Sequence, residues 1–240
     1  MSGRAPRGGA AAKEEPMTGF GEIDDKVFRE IADMVRALSG INLGPSKKAL
    51  VTARLGKRIR KLGIASYEEY LEFVRTEENR EEMTHMVNAI STNVTSFFRE
   101  IEHFAVLKEY LEKLRDAGQK SVRIWCAASS TGEEPYSIAM IVREVLGDGP
   151  LDARILATDI DTSVRERARE GLYKPDRLKT APADLRHKYF QPEKTAGGKM
   201  YRVDPRLRDI CVFKRLNLLN IPYQMNGPFD VVFCRNVMIY

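Results

Sequence analysis

The chain contains a short apolar run that ends in a turn of small residues and leads into a helical run. The apolar run covers 122–125, the turn begins at Cys126, and the helical run covers 138–146. A second apolar run, 153–158, follows and ends in Asp159. The order strand, turn, helix, strand predicts an α/β fold with a parallel sheet covered by helices. In such a fold a ligand binds at the carboxyl ends of the strands, where this turn lies.

The chemistry of the turn narrows the class of ligand. Gly132 is the only glycine in the stretch 125–137, so neither G-x-G-x-x-G nor G-x-x-x-x-G-K-[ST] is present, and the stretch has two glutamates and no lysine. Because carboxylates repel phosphate and attract cationic or hydroxyl-bearing groups, a polyphosphate is a poor fit. Asp159, at the end of the second strand, is placed to accept hydrogen bonds from ribose hydroxyls. An adenosine ligand with a cationic end fits better, and S-adenosylmethionine has both features.

The composition is that of an ordinary folded protein. Of the 240 residues, 43% are hydrophobic and 30% are charged. No apolar run is long enough to span a bilayer, so we expect no membrane insertion. The net charge of +5 is too weak to indicate nucleic acid as a partner. Residues 1–22 are rich in Gly, Ala, Pro and Arg and lack the apolar core of a signal peptide, which predicts a disordered tail.

The cysteines and histidines support two further expectations. Cys126, Cys211 and Cys234 are odd in number and lie in or beside apolar runs. This usage predicts reduced, buried thiols in a cytoplasmic protein. The three histidines of the chain lack the spacing of metal ligands, so no metal site is expected.

Helical periodicity predicts five helices before the first strand. Asp24 is the expected cap of the first helix and Gly40 its expected end. Gly63 should end the second helix, and Ser66 should cap the third in a capping box with Glu69.

These patterns divide the chain into a helical N-terminal domain, 23–91, and an α/β domain, 92–240. Two short apolar runs, 200–203 and 210–213, flank turns. They predict a small antiparallel β-subdomain, at about 186–214, inserted in the α/β domain.

Four segments taken together resemble the chemotaxis receptor glutamate methyltransferases, the CheR family. They are 91–100 (STNVTSFFRE), 130–137 (STGEEPYS), 157–161 (ATDID) and 227–240 (GPFDVVFCRNVMIY), and their order and spacing match the family. The resemblance covers 24–240. It implies a helical domain followed by a class I, Rossmann-like S-adenosylmethionine-dependent methyltransferase domain with a small β-subdomain. The implied reaction moves a methyl group from S-adenosylmethionine to receptor glutamates, giving a methyl ester and S-adenosylhomocysteine.

The resemblance also implies roles for individual residues. Arg99 and Tyr240 match positions that contact the substrate carboxylate or orient the methyl donor. The implied cofactor-binding set is Asn93, Thr95, Arg99, Glu134, Asp159, Asn217, Leu218, Arg235 and Asn236. The residues alone allow simpler interpretations, in which the polar stretch 93–96 caps the fifth helix and Arg99 pairs with nearby acids. Glu134 would similarly form a capping box with Thr131.

Basic residues of the second helix form a stripe opposite its apolar face. The stripe consists of Lys47, Arg54, Arg58 and Lys61. With the family resemblance, it is interpreted as a docking surface for the acidic helical cytoplasmic region of a receptor, where charge guides encounter. The simpler alternative is an ordinary solvated helix face.

The resembling family continues beyond the position of Tyr240 with further strands and helices. We therefore expect the methyltransferase domain of this sequence to be C-terminally incomplete. The apolar run 229–234 would be a buried-type strand left at an exposed sheet edge. On that expectation the chain alone would be marginally stable, aggregation-prone and a poor methyltransferase.

Two other functions are compatible with the sequence. One is a truncated, inactive relative that acts as a receptor-docking or cofactor-binding module. The other is a methyltransferase of nucleic acid or of a small molecule. The stretch 235–238 lacks both prolines of the Asn/Asp-Pro-Pro-Tyr motif of nucleic-acid amino-group methylation, which disfavours the nucleic-acid case.

Overall fold

The computed structural model describes residues 21–119, 121–147 and 152–237. Most of the predicted tail, 1–22, lies outside these residues, and so does Tyr240. Within them the chain forms a helical part, a parallel sheet with covering helices, and a small antiparallel sheet. None of the helices in these ranges is long and apolar enough to cross a membrane.

The first four helices have the ends that local signals predict. They are α1 (Asp25–Ser39), α2 (Lys48–Leu62), α3 (Tyr67–Arg75) and α4 (Arg80–Ile90), with 3₁₀ turns at Pro45–Lys47 and Glu77–Asn79. The Asp24 side chain accepts a hydrogen bond from the Lys26 amide at 2.7 Å, and Gly40 ends α1 in the left-handed conformation. Ser66 Oγ accepts a hydrogen bond from the Glu69 amide at 3.1 Å and caps α3. These predicted caps are confirmed, since each satisfies a backbone group at its helix end.

The helical part has an apolar core of its own, which contains a buried glutamate. The core includes Ile31, Val51, Leu55, Ile59, Val74 and Met86. Glu82 accepts hydrogen bonds from Arg58 Nε at 2.9 Å and from the Tyr70 hydroxyl at 2.8 Å. Removing one partner of a buried ion pair leaves an uncompensated charge and is strongly destabilising. Arg58 is therefore part of the structure of this core.

Two arginines of the predicted basic stripe do not project into solvent. Arg58 pairs with the buried Glu82, and Arg54 donates to two carbonyls at the end of α4. The prediction that both lie opposite the apolar face is wrong. The reason is that a long side chain at the edge of that face reaches across to the neighbouring helix. Lys47 and Lys61, the other two members, are exposed.

A parallel sheet forms the centre of the α/β part. Its strands are β1 (Ser121–Cys126), β2 (Asp152–Asp159), β6 (Cys211–Arg215) and β7 (Val231–Phe233). They pair in the order β6-β2-β1-β7, and every pairing is parallel. The helices are α5 (Glu102–Asp116), α6 (Glu133–Leu146) and α7 (Thr162–Glu170); α5 packs against α6, and α6 and α7 pack on β2 and β6. The predicted α/β fold is confirmed, with β7 shorter than the predicted 229–234.

A small antiparallel sheet lies between α7 and β6 in the chain. Its strands are β3 (Leu172–Tyr173), β4 (Phe190–Thr195) and β5 (Gly198–Val203). The same part of the chain contains a 3₁₀ turn (Pro175–Leu178) and the helices α8 (Ala183–Tyr189) and α9 (Pro205–Arg208). The predicted extent of about 186–214 is wrong at both ends. The sheet begins earlier, with β3, and the run 210–213 belongs to β6, which pairs parallel with β2. A two-residue strand has no periodicity, and a short apolar run does not reveal the direction of its partner.

Candidate functional site

A cavity of about 590 Å³ lies at the carboxyl ends of the parallel strands. All the predicted cofactor-binding residues line it: Asn93, Thr95, Arg99, Glu134, Asp159, Asn217, Leu218, Arg235 and Asn236. The sheet brings them together because parallel strands end at the same edge. Tyr240, the second predicted catalytic residue, lies outside the described residues, so its role stays a prediction.

Asp159 joins the end of β2 to the turn after β1. Its carboxylate accepts hydrogen bonds from the amides of Ser130 (2.8 Å) and Asp161 (2.9 Å), and only 8% of the residue is exposed. Burial raises the pKa of Asp159, and these backbone amides oppose the rise only in part. A carboxylate has about four acceptor positions. Asp159 can therefore organise the turn and still accept hydrogen bonds from ligand hydroxyls.

Glu134 and Arg235 form a nearly buried ion pair in the cavity wall. Arg235 Nη1 lies 2.7 Å from Glu134 Oε2, and the two side chains are 10% (Arg235) and 12% (Glu134) exposed. Arg235 Nη2 also donates to the Arg99 carbonyl and to Glu100 Oε2. Burial raises the pKa of Glu134, against the effects of the Cys126 thiol and of Arg235. The pair thus joins α6, the end of β7 and the turn before α5 in one network.

The simpler interpretations of two segments are wrong. Gly132 occupies the N-cap position of α6, so Thr131 and Glu134 do not cap this helix together. Ile101 occupies the N-cap position of α5, and the polar stretch 93–96 lies before the helix begins. Asn93, Thr95 and Glu134 line the cavity instead.

The segment 91–99 approaches the cavity from the helical part. Asn93 Nδ2 donates to Asp161 Oδ2 at 2.7 Å, and Arg99 Nη1 donates to a carbonyl of the same segment at 2.9 Å. The Arg99 side chain is 36% exposed, and its Nε lies 3.8 Å from Glu100, a long ion pair of the kind the simpler interpretation predicts. A partly exposed guanidinium at a cavity can bind an incoming carboxylate.

Unusual backbone geometry concentrates around this site. Within the described residues, the non-glycine residues with positive φ are Phe98 (54°), Glu100 (55°), Ser130 (45°) and Asn236 (53°). Ser130 and Asn236 line the cavity, and the other two flank Arg99. Such conformations cost about 1–3 kcal/mol each and cluster at functional sites.

The helical part supplies a wall of the cavity that the sequence analysis missed. The loop 39–43, which starts at the last residue of α1 and leads toward α2, lines it. Asn217 Nδ2 donates to the Leu38 carbonyl at 2.7 Å, and a Cβ at Gly40 would lie 3.1 Å from the Leu219 side chain. Gly40 therefore permits this close approach as well as ending α1. In the sequence, the position of Gly40 at a helix end was a sufficient explanation for the glycine. Its contact with Leu219 was therefore not predicted.

Two aromatic side chains that form part of the cavity wall were also not predicted from the sequence. Trp125 and Tyr223 both line the cavity, with ring centroids 5.5 Å apart. Trp125 Nε1 donates to the Thr158 hydroxyl at 3.0 Å, and the Tyr223 hydroxyl donates to the Leu218 carbonyl at 2.9 Å. These bonds fix both rings, and a fixed aromatic surface suits a planar heterocycle.

The three cysteines are free thiols that differ in exposure. Cys126 is buried and Cys211 is half-buried, but Cys234 is exposed and lines the cavity. The prediction of buried thiols is wrong for Cys234, because β7 ends one residue before it and the chain turns toward the cavity there.

Two family profiles match the chain. The profile described as "CheR methyltransferase, all-alpha domain" matches residues 26–91. The profile described as "CheR methyltransferase, SAM binding domain" matches residues 93–240.

Curated proteins are similar over most of the chain. The "Chemotaxis protein methyltransferase" of Salmonella typhimurium is 39% identical over 218 residues, which are 91% of this chain and 74% of that protein. The protein of the same name from Escherichia coli (strain K12) is 39% identical, over 91% of this chain and 75% of its own length. The "Chemotaxis protein methyltransferase 2" of Pseudomonas aeruginosa is 40% identical, over 89% of this chain and 75% of its own length.

These similarities favour the enzyme over an inactive docking module. They agree with a cavity that has paired acids and arginines at the carboxyl edge of a parallel sheet. The chain belongs to the CheR methyltransferase family, and its α/β part is the S-adenosylmethionine-binding domain of a methyltransferase that uses this cofactor.

Proposed function

We propose that this chain transfers a methyl group from S-adenosylmethionine to glutamate side chains of chemotaxis receptors, giving glutamyl methyl esters and S-adenosylhomocysteine. The observation that carries the proposal is the cavity, which is lined by the carboxylates of Glu134 and Asp159 and by Arg99 and Arg235. A cytoplasmic location is part of the proposal, and the free state of all three thiols supports it.

The residues around the cavity fit the cofactor. Asp159 has acceptor positions for ribose hydroxyls, and Glu134 is an acceptor for the positively charged end. Arg235 also lines the cavity, and its guanidinium can attract the carboxylate of a ligand. The remaining proposed contacts are Asn93, Thr95, Arg99 and Asn236, with Asn217 and Leu218 at the adenine end.

The proposed chemistry needs little from the side chains beyond orientation. When bound, S-adenosylmethionine supplies a methyl group on a positively charged sulfur. A glutamate is ionised at neutral pH, so no general base is required. Arg99 would orient the substrate carboxylate, and Tyr240 would donate a hydrogen bond to it. The loop 39–43 forms part of the cavity wall. A site with less water favours a step in which opposite charges neutralise.

Methyl-labelled S-adenosylmethionine and a receptor cytoplasmic fragment test the proposal. We expect label in the receptor that mild base releases as methanol, because glutamyl esters hydrolyse under these conditions. Receptor variants with alanine at the acceptor glutamates should take up no label. Label that resists base would contradict the proposed reaction.

The pH dependence of cofactor binding is a further expected result. Burial raises the pKa of Asp159 above the ordinary Asp value of about 3.9. Its carboxylate therefore becomes protonated at a higher pH than that of an ordinary Asp. A ligand that needs the ionised form binds fully above the raised pKa and loses affinity as pH falls through it. The wild-type Kd for S-adenosylhomocysteine should therefore rise as the pH is lowered from neutrality through this raised pKa. The Asp159→Asn variant should bind more weakly and approach the wild type as pH falls. A pH-independent ratio of the two Kd values would exclude this role.

The docking surface on α2 is proposed in a corrected form. Arg54 and Arg58 make internal contacts, so they are removed from the proposed surface. The exposed basic residues of α2 are Lys57, Arg60 and Lys61, and Lys47 is exposed just before the helix. Their charges would guide an acidic receptor helix onto this face.

Neutralising Lys57, Arg60 and Lys61 to Gln should weaken receptor-fragment binding roughly tenfold at low salt, a loss of about 1.4 kcal/mol. The affinity for S-adenosylhomocysteine should stay unchanged, and the wild-type receptor affinity should fall as salt rises. A matched control neutralises three exposed lysines elsewhere: Lys26, Lys108 and Lys214. Equal losses in the two triple variants would assign the effect to net charge alone.

A further inference from the structure

The segment that joins the helical part to the sheet also carries two proposed cofactor contacts. Helix α4 ends at Ile90, and Asn93 and Thr95 follow within five residues. Residues 90–95 all line the cavity. A small displacement of this segment would therefore move both side chains relative to a bound ligand.

Arg54 holds the start of this segment from the middle of α2. Its Nη1 donates to the Ile90 carbonyl at 2.6 Å and the Ser91 carbonyl at 2.8 Å, and lies 3.3 Å from the Thr92 hydroxyl. The last carbonyls of a helix lack partners within the helix and carry partial negative charge. A guanidinium placed there satisfies these carbonyls and fixes the direction in which the chain leaves α4.

The rest of the segment is anchored to the α/β part. Asn93 Nδ2 donates to Asp161, and the Ser130 hydroxyl donates to the Asn93 carbonyl at 3.3 Å. Arg177 Nη2 donates to the Thr95 carbonyl at 3.0 Å. Arg54 therefore holds the start of the segment on the helical side, and these contacts hold its end on the α/β side.

We propose that Arg54 is a positioning residue for the cofactor site: it sets the place of Asn93 and Thr95 without touching the ligand itself. Arg54 is half-buried and lies outside the cavity lining, and its Nη1 is committed to the α4 carbonyls. The Arg54 guanidinium therefore faces the end of α4. Arg54 is not part of the docking surface formed by Lys57, Arg60 and Lys61. The inference rests on the proposed cofactor contacts of Asn93 and Thr95.

Calorimetric titration of S-adenosylhomocysteine into the full chain tests this role. Arg54→Met keeps the length of the side chain and removes its donors, and it should raise the Kd about tenfold. Arg54→Lys keeps a donor group and should give an intermediate Kd. Val74→Ala is the control, because it destabilises the same helical core from α3 and leaves these hydrogen bonds in place. Its Kd should equal that of the wild type, with all titrations run well below each unfolding midpoint.

The alternatives give different results. An unchanged Kd in Arg54→Met, or an equal rise in Val74→Ala, would overturn the positioning role. A higher KM for the receptor fragment with an unchanged Kd for S-adenosylhomocysteine would make Arg54 a docking residue instead. If Asn93→Ala also leaves the Kd unchanged, the proposed cofactor contact itself is wrong and the role of Arg54 falls with it. If Asn93→Ala weakens binding and Arg54→Met does not, only the positioning role fails.

Discussion

Replacing Arg177 by Met should lower the thermal unfolding midpoint by about 4–16 °C. Glu133, at the start of α6, is fully buried, and its carboxylate accepts hydrogen bonds from Nε (2.9 Å) and Nη2 of Arg177. Without the guanidinium the chain would bury an unpaired charge, at a cost of several kcal/mol. Because the Arg177 side chain is 44% exposed and water can replace part of it, we expect about 2–4 kcal/mol. A chain of this size loses about 2–4 °C per kcal/mol.

Two variants test whether the buried charge of Glu133 causes the loss of stability in Arg177→Met. Combining Arg177→Met with Glu133→Gln removes that charge and should recover much of the lost stability. Arg169→Met removes an exposed arginine of α7 whose ion pair with Glu166 is long, at 3.8 Å, and it should leave the midpoint unchanged. Similar shifts for Arg177→Met and Arg169→Met in calorimetry would show that the Glu133 contact contributes little.

Replacing Arg235 by Met should raise the Kd for S-adenosylhomocysteine by roughly 30- to 1000-fold, equivalent to about 2–4 kcal/mol. The variant leaves Glu134 buried without its cation, so the pKa of this carboxyl should rise further. It also frees the Arg99 carbonyl, which places the turn before α5. The cavity would therefore lose the ionised Glu134 as a ligand contact, and its shape would change.

Calorimetric titration of three variants separates the parts of this effect. Glu100→Gln removes the peripheral, exposed partner of Arg235 and should change the Kd little. Arg235→Lys keeps the charge but cannot reproduce the forked contacts, so its Kd should lie between those of the wild type and Arg235→Met. A Kd for Arg235→Met within threefold of the wild type would remove Arg235 and its ion pair from the proposed site.

Local chemistry made much of the fold predictable. The caps at Asp24 and Ser66 and the left-handed glycine at Gly40 act within a few residues, so the helix ends follow from neighbouring side chains. The strands β1 and β2 and the turn between β1 and α6 were predictable because an apolar run, a small-residue turn and a helical run stand in order. Parallel strands end at one edge, and this geometry brings Glu134 and Asp159 to the same cavity.

Long-range contacts were not predictable. The partner of 210–213 is β2, and nothing within so short a run specifies a parallel neighbour. Periodicity placed Arg58 on a helix surface but gave no sign of the buried Glu82 across the interface. The loop 39–43 reaches the cavity only through the packing of the helical part against the sheet. Each of these depends on elements that are distant in the chain.

A crystal structure of this chain with S-adenosylhomocysteine would show directly whether the cavity is the cofactor site. We expect ligand density between the loop 39–43 and the carboxyl ends of the strands. The ribose hydroxyls should lie within hydrogen-bond distance of Asp159, and the adenine should lie beside Asn217 and Leu218. Density at any other place, with this cavity filled only by water, would exclude the cavity as the cofactor site.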